Sequence, residues 1–543
     1  MGYLLIFVWL AGILWHIWRL IRYFQIEGYD SRRYLRWLVG KPTRYIQWRA
    51  LIFVGVAVLT SVVLNFAGQD TVAVYLGVWG AAAVFGLWPE RPKEVKQRFR
   101  LTQRAARLLV TAFALAVLVL FGTTITLAAA LHMSDRASFV LITVIGLLIY
   151  HLSPLILPLA NLLNYPIEAG FRRLFQRRAR LTLQRAAPTV IGITGSYGKT
   201  STKTYLAHIL RGRWQVLATP KSYNTLMGVC LVINDELAQN PHYDYFIVEM
   251  GAYVEGEIRQ ICELVRPQIG VITAVGPQHL ERFGSIEATA RAKYELIASL
   301  PPDGVGVFNW DNHHVRAMYE KGYPQTRIAV TWENAEHATQ LRFLARNIRQ
   351  TTEGLEFDVW DTFLDEREHF STGLVGLHNV TNILLATAVA RHLGMPLTEI
   401  AVRVASLEPA EHRLQRRTFP NGVTVIDDAY SANPVGAHSV LDVLALYQDG
   451  RRVLITPGIV ELGPLQEQEN VKLGLHAAQT CTDVVLVGAE QTRPIQQGLR
   501  EAGFDEEHLH IFDTREEAID WFRRELKTGD TVVFLNDLPD TYL

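Results

Sequence analysis

Cysteine is scarce, with only Cys230, Cys262 and Cys481 in a chain of 543 residues. Their wide spacing excludes a cysteine-ligated zinc module and a disulfide framework. The expectation is three reduced thiols in a cytoplasmic core. Net charge is missing as well, since 53 Lys and Arg face 53 Asp and Glu. Without a global excess of cations, nucleic acid is not an expected partner. Internal repeats and low-complexity segments are absent, which excludes a repeat array and a long disordered tail. The length corresponds to roughly three or four domains at ~150 residues each.

Hydrophobicity is plentiful and uneven. The first 165 residues are rich in Leu, Val, Ala and Trp, and five runs near 3–22, 50–67, 72–88, 107–131 and 138–160 approach the length of a bilayer span. The third is the shortest. Cations separate these runs asymmetrically. Arg19, Arg22, Arg32, Arg33, Arg36, Lys41, Arg44 and Arg49 end or follow the first run, and Arg91 to Arg107 carries seven cations after the third. Arg172, Arg173, Arg177, Arg178 and Arg180 follow the fifth, whereas the connections around Asp70 and Arg136 are nearly free of Lys and Arg. The positive-inside rule then puts the N-terminus outside and everything after the fifth span in the cytoplasm. The first run is not expected to be a cleaved signal, because no cation precedes it and no small-residue cleavage site follows. A multi-pass protein of the plasma (inner) membrane follows, with the lipid bilayer as a partner.

Beyond this region, one stretch carries chemistry. Gly192-Ile193-Thr194-Gly195-Ser196-Tyr197-Gly198-Lys199-Thr200-Ser201-Thr202-Lys203 follows an apolar strand-like start and opens a helical run from Tyr205 to Leu210. Strand, Gly-rich turn, Lys-Thr and helix form a phosphate-binding loop. Small residues let backbone N–H groups wrap a polyphosphate, Lys199 supplies a cation, and the Thr200 hydroxyl is a Mg²⁺ ligand. Gly195, Ser196, Gly198, Lys199, Thr200 and Ser201 are therefore candidate nucleotide contacts. Position 193 is Ile, so the spacing is the shorter T-G-x-x-G-K-T-[ST] form.

Strand and helix patterns alternate after a basic linker at 166–187. Tyr245–Val248 and Ile269–Thr273 are short β-branched runs that end at Gly-rich or polar turns. Alternation of this kind predicts a parallel α/β sheet that binds ligands at the carboxyl ends of its strands. A second α/β segment begins near residue 415, with strands predicted at 423–426, 453–456, 484–487 and 531–534 and a hinge at Glu408–Arg417. The domains read from the chain are a membrane domain at 1–165, the linker, a central ATP-binding domain at 188–410 and a Rossmann-like C-terminal domain at 411–543.

Several strings in order carry a resemblance. They are Gly192 to Thr202, Thr219 to Thr225, Glu249-Met250-Gly251-Ala252, His279 to Ser285, Ala292 to Leu296, Gly376 to Asn382, His412-Arg413-Leu414 and Asp427 to Pro434. Over about residues 188–543 the chain resembles the Mur ligase family, the ATP-dependent amide ligases that build the peptidoglycan stem peptide. The likeness is greatest to the D-alanyl-D-alanine-adding branch. The resemblance implies ATP and Mg²⁺ as cofactors and an acyl-phosphate intermediate. Its implied partners are a cell-wall precursor peptide and an amino acid or dipeptide, and the five apolar runs ahead of the catalytic half lead to the expectation that this peptide is lipid-linked. It makes Lys199, His279 and Lys293 catalytic, with Lys199 on the β- and γ-phosphates. Thr200 and Glu249 would hold one Mg²⁺, His279 a second, and Lys293 is matched to a lysine that several members carry as a carbamate. Asn382 matches an adenine contact, Arg413 a phosphate contact and Asp428 a nucleotide contact. His378 reads as a structural group beside a helix start, and Tyr430 and Asn433 equally suit a turn before Pro434.

The departures are specific. Family members usually begin with a domain for the UDP end of the substrate, and here the apolar region stands in that place. Ala274 replaces a common Asn, Ala429 and Ser431 alter the Asp-Asp-Ser-Tyr-Asn-Ala-Asn-Pro string, and the Lys-Gly-Ser-Arg signature near the C-terminus is missing. A poly-γ-glutamate-type ligase and a non-catalytic ATP-binding scaffold for wall synthesis are the alternatives. Retention of Lys199, Glu249, His279 and Lys293 speaks against the scaffold. The lack of a second nucleotide loop and of a recognisable ABC signature speaks against an ATP-driven transporter.

Overall fold

The computed structural model describes residues 2–40, 46–67, 71–87, 99–131, 135–220, 223–278, 280–333, 341–429 and 432–536. The expectations for His279, the Asp70 connection, the cations at 91–98, Lys221, Tyr430, Ser431 and the C-terminal signature fall outside these residues. The chain forms two compact units, one up to Arg173 and one from Leu174 onward.

The first unit is helical: α1 (Gly2–Ile26), α2 (Ser31–Val39), α3 (Trp48–Phe66), α4 (Val72–Leu87), α5 (Gln103–Leu131), α6 (Asp135–Leu152) and the first part of α7 (Ile156–Ala186). Its core interleaves large rings with small residues. Trp9, Trp79, Ile13, Ala112 and Ala116 are buried together, and a Cβ on Gly146 would lie 2.4 Å from the Trp9 ring. Apolar side chains also cover the outside: Leu59, Val110, Leu118 and Leu162 are 68–69% exposed. The helices of this unit are therefore apolar on outer as well as inner faces. Among the described residues, the stretches 4–26, 48–66, 103–127 and 137–186 are long and apolar enough to cross a membrane, and helix 72–87 is apolar but shorter.

The basic stretch after the fifth run is helical. α7 continues as one helix through Pro166 to Ala186. Proline removes one N–H and normally breaks a helix, but here flanking side chains pin the turn to α5. Thr111 Oγ1 donates to Asn164 Oδ1 at 3.1 Å, and Arg107 Nε donates to Glu168 Oε1 at 2.7 Å.

The second unit holds two sheets. The central lobe runs β1 (Thr189–Thr194), α8 (Lys199–Leu210), β2 (Val216–Ala218), α9 (Leu226–Val232), β3 (Tyr245–Glu249), α10 (Glu257–Val265), β4 (Ile269–Ile272), α11 (Leu280–Phe283), α12 (Ile286–Ala298), β5 (Val305–Asn309), α13 (His313–Glu320) and β6 (Thr326–Thr331). It is completed by β7 (Phe343–Gln350), β8 (Leu355–Asp361), β9 (Glu366–Thr372), α14 (His378–His392) and α15 (Leu397–Ala405). The strand order is β2-β3-β1-β4-β5-β6-β7-β8-β9. Pairing is parallel from β2 to β7, then antiparallel through β8 and β9. β1 lies between β3 and β4, so the chain leaves it in opposite directions, and the crevice at the strand ends opens there.

The C-terminal lobe contains β10 (Gln415–Thr418), β11 (Thr424–Asp428), α16 (Pro434–Leu444), β12 (Arg452–Thr456), α17 (Gln466–Thr480), β13 (Asp483–Val487), α18 (Arg493–Glu501), β14 (Leu509–Phe512), α19 (Arg515–Glu525) and β15 (Thr531–Leu535). Its sheet order is β10-β11-β15-β12-β13-β14, parallel except for the β10–β11 hairpin. Asn433 caps α16 through Oδ1 to the Gly436 N–H at 3.0 Å, and Pro434 fills the first turn, so this asparagine shapes the turn. Arg282 to Glu461 at 3.3 Å and His378 Nδ1 to Ser439 Oγ at 2.9 Å join the two lobes.

Candidate active site

Register brings the chemistry together. Ile193 of β1 pairs with Glu249 of β3, and Thr194 pairs with Ile272 of β4. The phosphate loop therefore emerges beside the Glu249 carboxylate. Two glycines make the loop possible. Gly195 has φ +153° and Gly198 φ +82°, and a Cβ would strike Thr273 Oγ1 at 2.0 Å from Gly195 and Asn382 Oδ1 at 2.6 Å from Gly198. Thr273 Oγ1 in turn donates to the Tyr197 carbonyl at 2.5 Å. Ser196 Oγ is buried and exchanges hydrogen bonds of 3.1 Å with the backbone of Gly276, so it braces the loop from behind.

Lys199 opens α8 and curls over the loop. Its Nζ donates to the carbonyls of Gly195 at 2.7 Å and Ser196 at 2.9 Å. Burial pulls its pKa down to about 8, with the Glu249 carboxylate opposing and Arg413 adding to the fall. Thr200 Oγ1 lies 3.1 Å from Glu249 Oε2, and Lys203 Nζ lies 2.9 Å from the same oxygen. Asn224 Nδ2 caps the other carboxylate oxygen at 3.1 Å. Burial alone would raise the Glu249 carboxyl, but Lys203, Lys199 and these hydrogen bonds hold it below the usual carboxylate range. Ser201 is buried on α8 behind the loop.

Lys293, on α12, is 3% exposed. Its ammonium sits 5.5 Å from the centre of the Phe283 ring, and burial followed by the Lys199 charge brings its pKa to about 7. The C-terminal lobe sends Arg413 within electrostatic range of Lys199, His378 and Asp428. Asp428 is buried, accepts from the Leu414 N–H at 3.2 Å, and is pushed up to about 6 by burial against the pull of Arg413.

The structure thus gathers Gly195, Gly198, Lys199, Thr200 and Glu249 at one crevice, with Lys293 and Arg413 in electrostatic range of Lys199. Asn382 lies differently from an open ligand contact. Its amide is 4% exposed behind Gly198, accepts from Thr202 Oγ1 at 3.2 Å and donates to Asn379 at 3.3 Å. His378 is half-buried against Ser439, and desolvation lowers its pKa to about 4. Two functional residues had no assigned role in the sequence reading, Lys203 and Asn224. The available signal was Lys203 at i+4 from Lys199, one turn along the same helix face.

The oxygen donors Thr200 and Glu249, set together at the strand ends, suit a hard divalent cation bound alongside phosphates. A phosphate loop on a parallel sheet, facing an arginine from a second α/β lobe, defines a two-lobed nucleotide-dependent ligase. Residues 193–390 match the Mur ligase middle domain, and residues 412–535 match the Mur ligase, glutamate ligase domain. The chain is 30% identical over 350 residues to UDP-N-acetylmuramoyl-tripeptide–D-alanyl-D-alanine ligase of Escherichia coli strain K12, covering 62% of this chain and 74% of that one. The enzyme of that name from Mycobacterium tuberculosis strain CDC 1551 is 32% identical, over 64% of this chain and 69% of its own. The crystal structure of MurF from Acinetobacter baumannii superposes with a TM-score of 0.58 at 26% identity, over 67% of this chain and 77% of that one. The chain belongs to the Mur ligase family. It is an ATP-dependent carbon–nitrogen ligase that forms a peptide bond in peptidoglycan precursor synthesis.

Proposed function

We propose that this chain is a multi-pass ligase of the plasma (inner) membrane that joins the carboxylate of a muramoyl peptide to the amine of a dipeptide such as D-alanyl-D-alanine, with its catalytic lobes at the cytoplasmic face. The observation that carries the chemistry is the clustering of Lys199, Lys203, Glu249 and Lys293 around one loop and one strand end. The peptide carboxylate attacks the γ-phosphorus of ATP, giving an acyl phosphate and ADP. The amine then adds to the acyl carbon, and phosphate leaves from the tetrahedral intermediate. Lys199 leaves the loop carbonyls for the β- and γ-phosphates and stabilises charge that grows on them. Gly195, Ser196, Gly198 and Ser201 shape the nucleotide cradle, and Arg413 and Asp428 approach the nucleotide from the second lobe. Asn382 acts on the nucleotide through the loop it backs. Thr200, Glu249, His279 and Lys293 would hold Mg²⁺, which when bound neutralises phosphate charge. Lys203 keeps Glu249 ionised and oriented.

The acceptor proposed is lipid-linked. Binding far from the reacting centre is what positions a carboxylate, and an acceptor confined to the bilayer plane arrives at raised effective concentration. A single helix would serve as a plain anchor, whereas several apolar stretches precede the catalytic lobes. Full-length protein in detergent, given ATP, Mg²⁺, D-alanyl-D-alanine and either a UDP-linked or a lipid-linked muramoyl tripeptide, should release phosphate faster with the lipid-linked form. Equal rates with both would sink the lipid-linked acceptor, and no release with either would sink the substrate class.

The topology is tested separately. Single cysteines at positions 70 and 134 are expected to react with an impermeant thiol reagent on intact cells, and one at position 175 is not. The three native cysteines are buried and give little background. Labelling at 175 under those conditions would refute a cytoplasmic catalytic half.

A further inference from the structure

The first unit holds a cluster of charge that ligation chemistry does not use. Glu168 of α7 is 8% exposed, among helices whose surfaces are apolar. An ionised group in such a setting is costly and marks function more often than architecture. Arg107 satisfies it, with Nε and a terminal nitrogen each 2.7 Å from Oε1. Arg104 is then surplus. Its Nε stands 4.0 Å from Glu168 Oε2, and that buried Nε has no hydrogen-bond partner among the described residues. Arg172 lies in coulombic range of the same guanidinium. Two arginines therefore face one carboxylate, and a third lies in electrostatic range of Arg104.

Each arginine rests on an aromatic ring. Arg104 lies 4.2 Å from the Tyr29 ring centre, Arg107 4.6 Å from Phe171 and Arg172 5.7 Å from Tyr165. The Tyr29 platform is braced from two directions. Gln25 Nε2 donates to its hydroxyl at 2.9 Å, and Asn161 Nδ2 donates to its carbonyl at 3.2 Å. Gln25 also clamps Arg100, donating to its carbonyl at 2.9 Å and accepting from its N–H at 3.1 Å. Tyr165 and Phe171 are 61% and 52% exposed, next to Leu162 and Leu163 at 68% and 52%. Aromatic rings beside an apolar helix surface, carrying guanidinium groups, have the composition of a membrane–water interface. The Arg104 side chain is 35% exposed, so its outer edge is open to a ligand.

We propose that Arg104, Arg107 and Arg172, seated on Tyr29, Phe171 and Tyr165, form a binding site for the diphosphate headgroup of a membrane lipid. Planar guanidinium groups pair with phosphate oxygens bidentately, and a braced arginine loses little freedom on doing so. Two surplus positive charges match a diphosphate better than the single charge of a phosphodiester. Glu168 sets the selectivity, because it repels anions that engage only one arginine. The site rests on the membrane reading of the first unit, but not on which acceptor the catalytic lobes use.

The test is native mass spectrometry of full-length protein in detergent, with polyprenyl diphosphate, phosphatidylglycerol or inorganic pyrophosphate added. One polyprenyl diphosphate should be retained per chain, at least about tenfold more tightly than phosphatidylglycerol. Arg104→Gln should lower that retention about tenfold, and Arg104→Lys should recover part of it. ADP binding, read in the same spectra, reports whether each variant is folded. Unchanged retention in folded Arg104→Gln overturns the site, as does equal retention of phosphatidylglycerol. Equal binding of inorganic pyrophosphate shows a free-anion site and overturns the lipid assignment. Retention of the lipid by a protein that ligates only UDP-linked peptide would leave this site standing while the lipid-linked acceptor falls.

Discussion

Replacing Lys199 by alanine is expected to lower ATP turnover by about 10²–10³-fold, a loss of ~3 kcal/mol of transition-state stabilisation. Among the described residues the ammonium donates to the carbonyls of its own loop, Gly195 and Ser196, so its removal costs the fold little. No neighbour can take over. Lys203 is committed to Glu249 at 2.9 Å, Arg413 belongs to the other lobe, and Lys293 sits on Phe283. The readout is phosphate release by full-length protein, with thermal stability as the control. Wild-type turnover in a stable Lys199→Ala protein would remove the loop from the mechanism. Lys199→Arg should not restore the rate. A planar fork is longer than the ammonium, and the loop carbonyls are spaced for a single point charge.

Much of this site was legible because its signals are local. The phosphate loop combines a strand, two obligatory glycines and a helix start within a dozen residues, and each has a backbone reason to be there. The runs at 245–248, 269–273, 423–426, 453–456, 484–487 and 531–534 are short and mostly buried, and each became a strand with a parallel neighbour. What escaped depends on contacts distant in sequence. Lys203 gains a role only when β3 brings Glu249 against it, 46 positions away. Asn224 stands in a string that carries the resemblance, but its role appears only when its amide meets Glu249, 25 positions away. The β7–β9 hairpins give little strand signal, because Arg346 to Gln350 of β7 and Glu366 to His369 of the edge strand β9 are largely polar and mostly solvent-facing. α7 runs on through Pro166, and the contacts that hold the helix across the proline come from α5, more than fifty positions away in sequence.

The second large effect is expected at Lys293. A lysine 3% exposed, near the Lys199 charge and against a phenyl ring, is an unfavourable place for a second cation. Carbamylation reverses that conflict. The neutral Nζ attacks the carbon of CO₂, the N–C bond forms, one C=O electron pair moves to oxygen, and a proton leaves nitrogen for water. The product is an anion that Lys199 attracts, and it offers oxygen donors of the kind Mg²⁺ prefers. Lys293→Ala should therefore cut ligation by about 100-fold or more, comparable to losing a group that stabilises transition-state charge. The cavity left by the side chain should admit formate or acetate, and added carboxylate should restore part of the rate. Stripping CO₂ should slow the wild-type protein and leave Lys293→Ala unchanged. A positive charge alone makes the opposite forecast: Lys293→Arg would be fully active, carboxylates would not rescue the alanine variant, and CO₂ would not matter. Full activity of Lys293→Arg would rule out the carbamate, because a guanidinium at this position cannot form it.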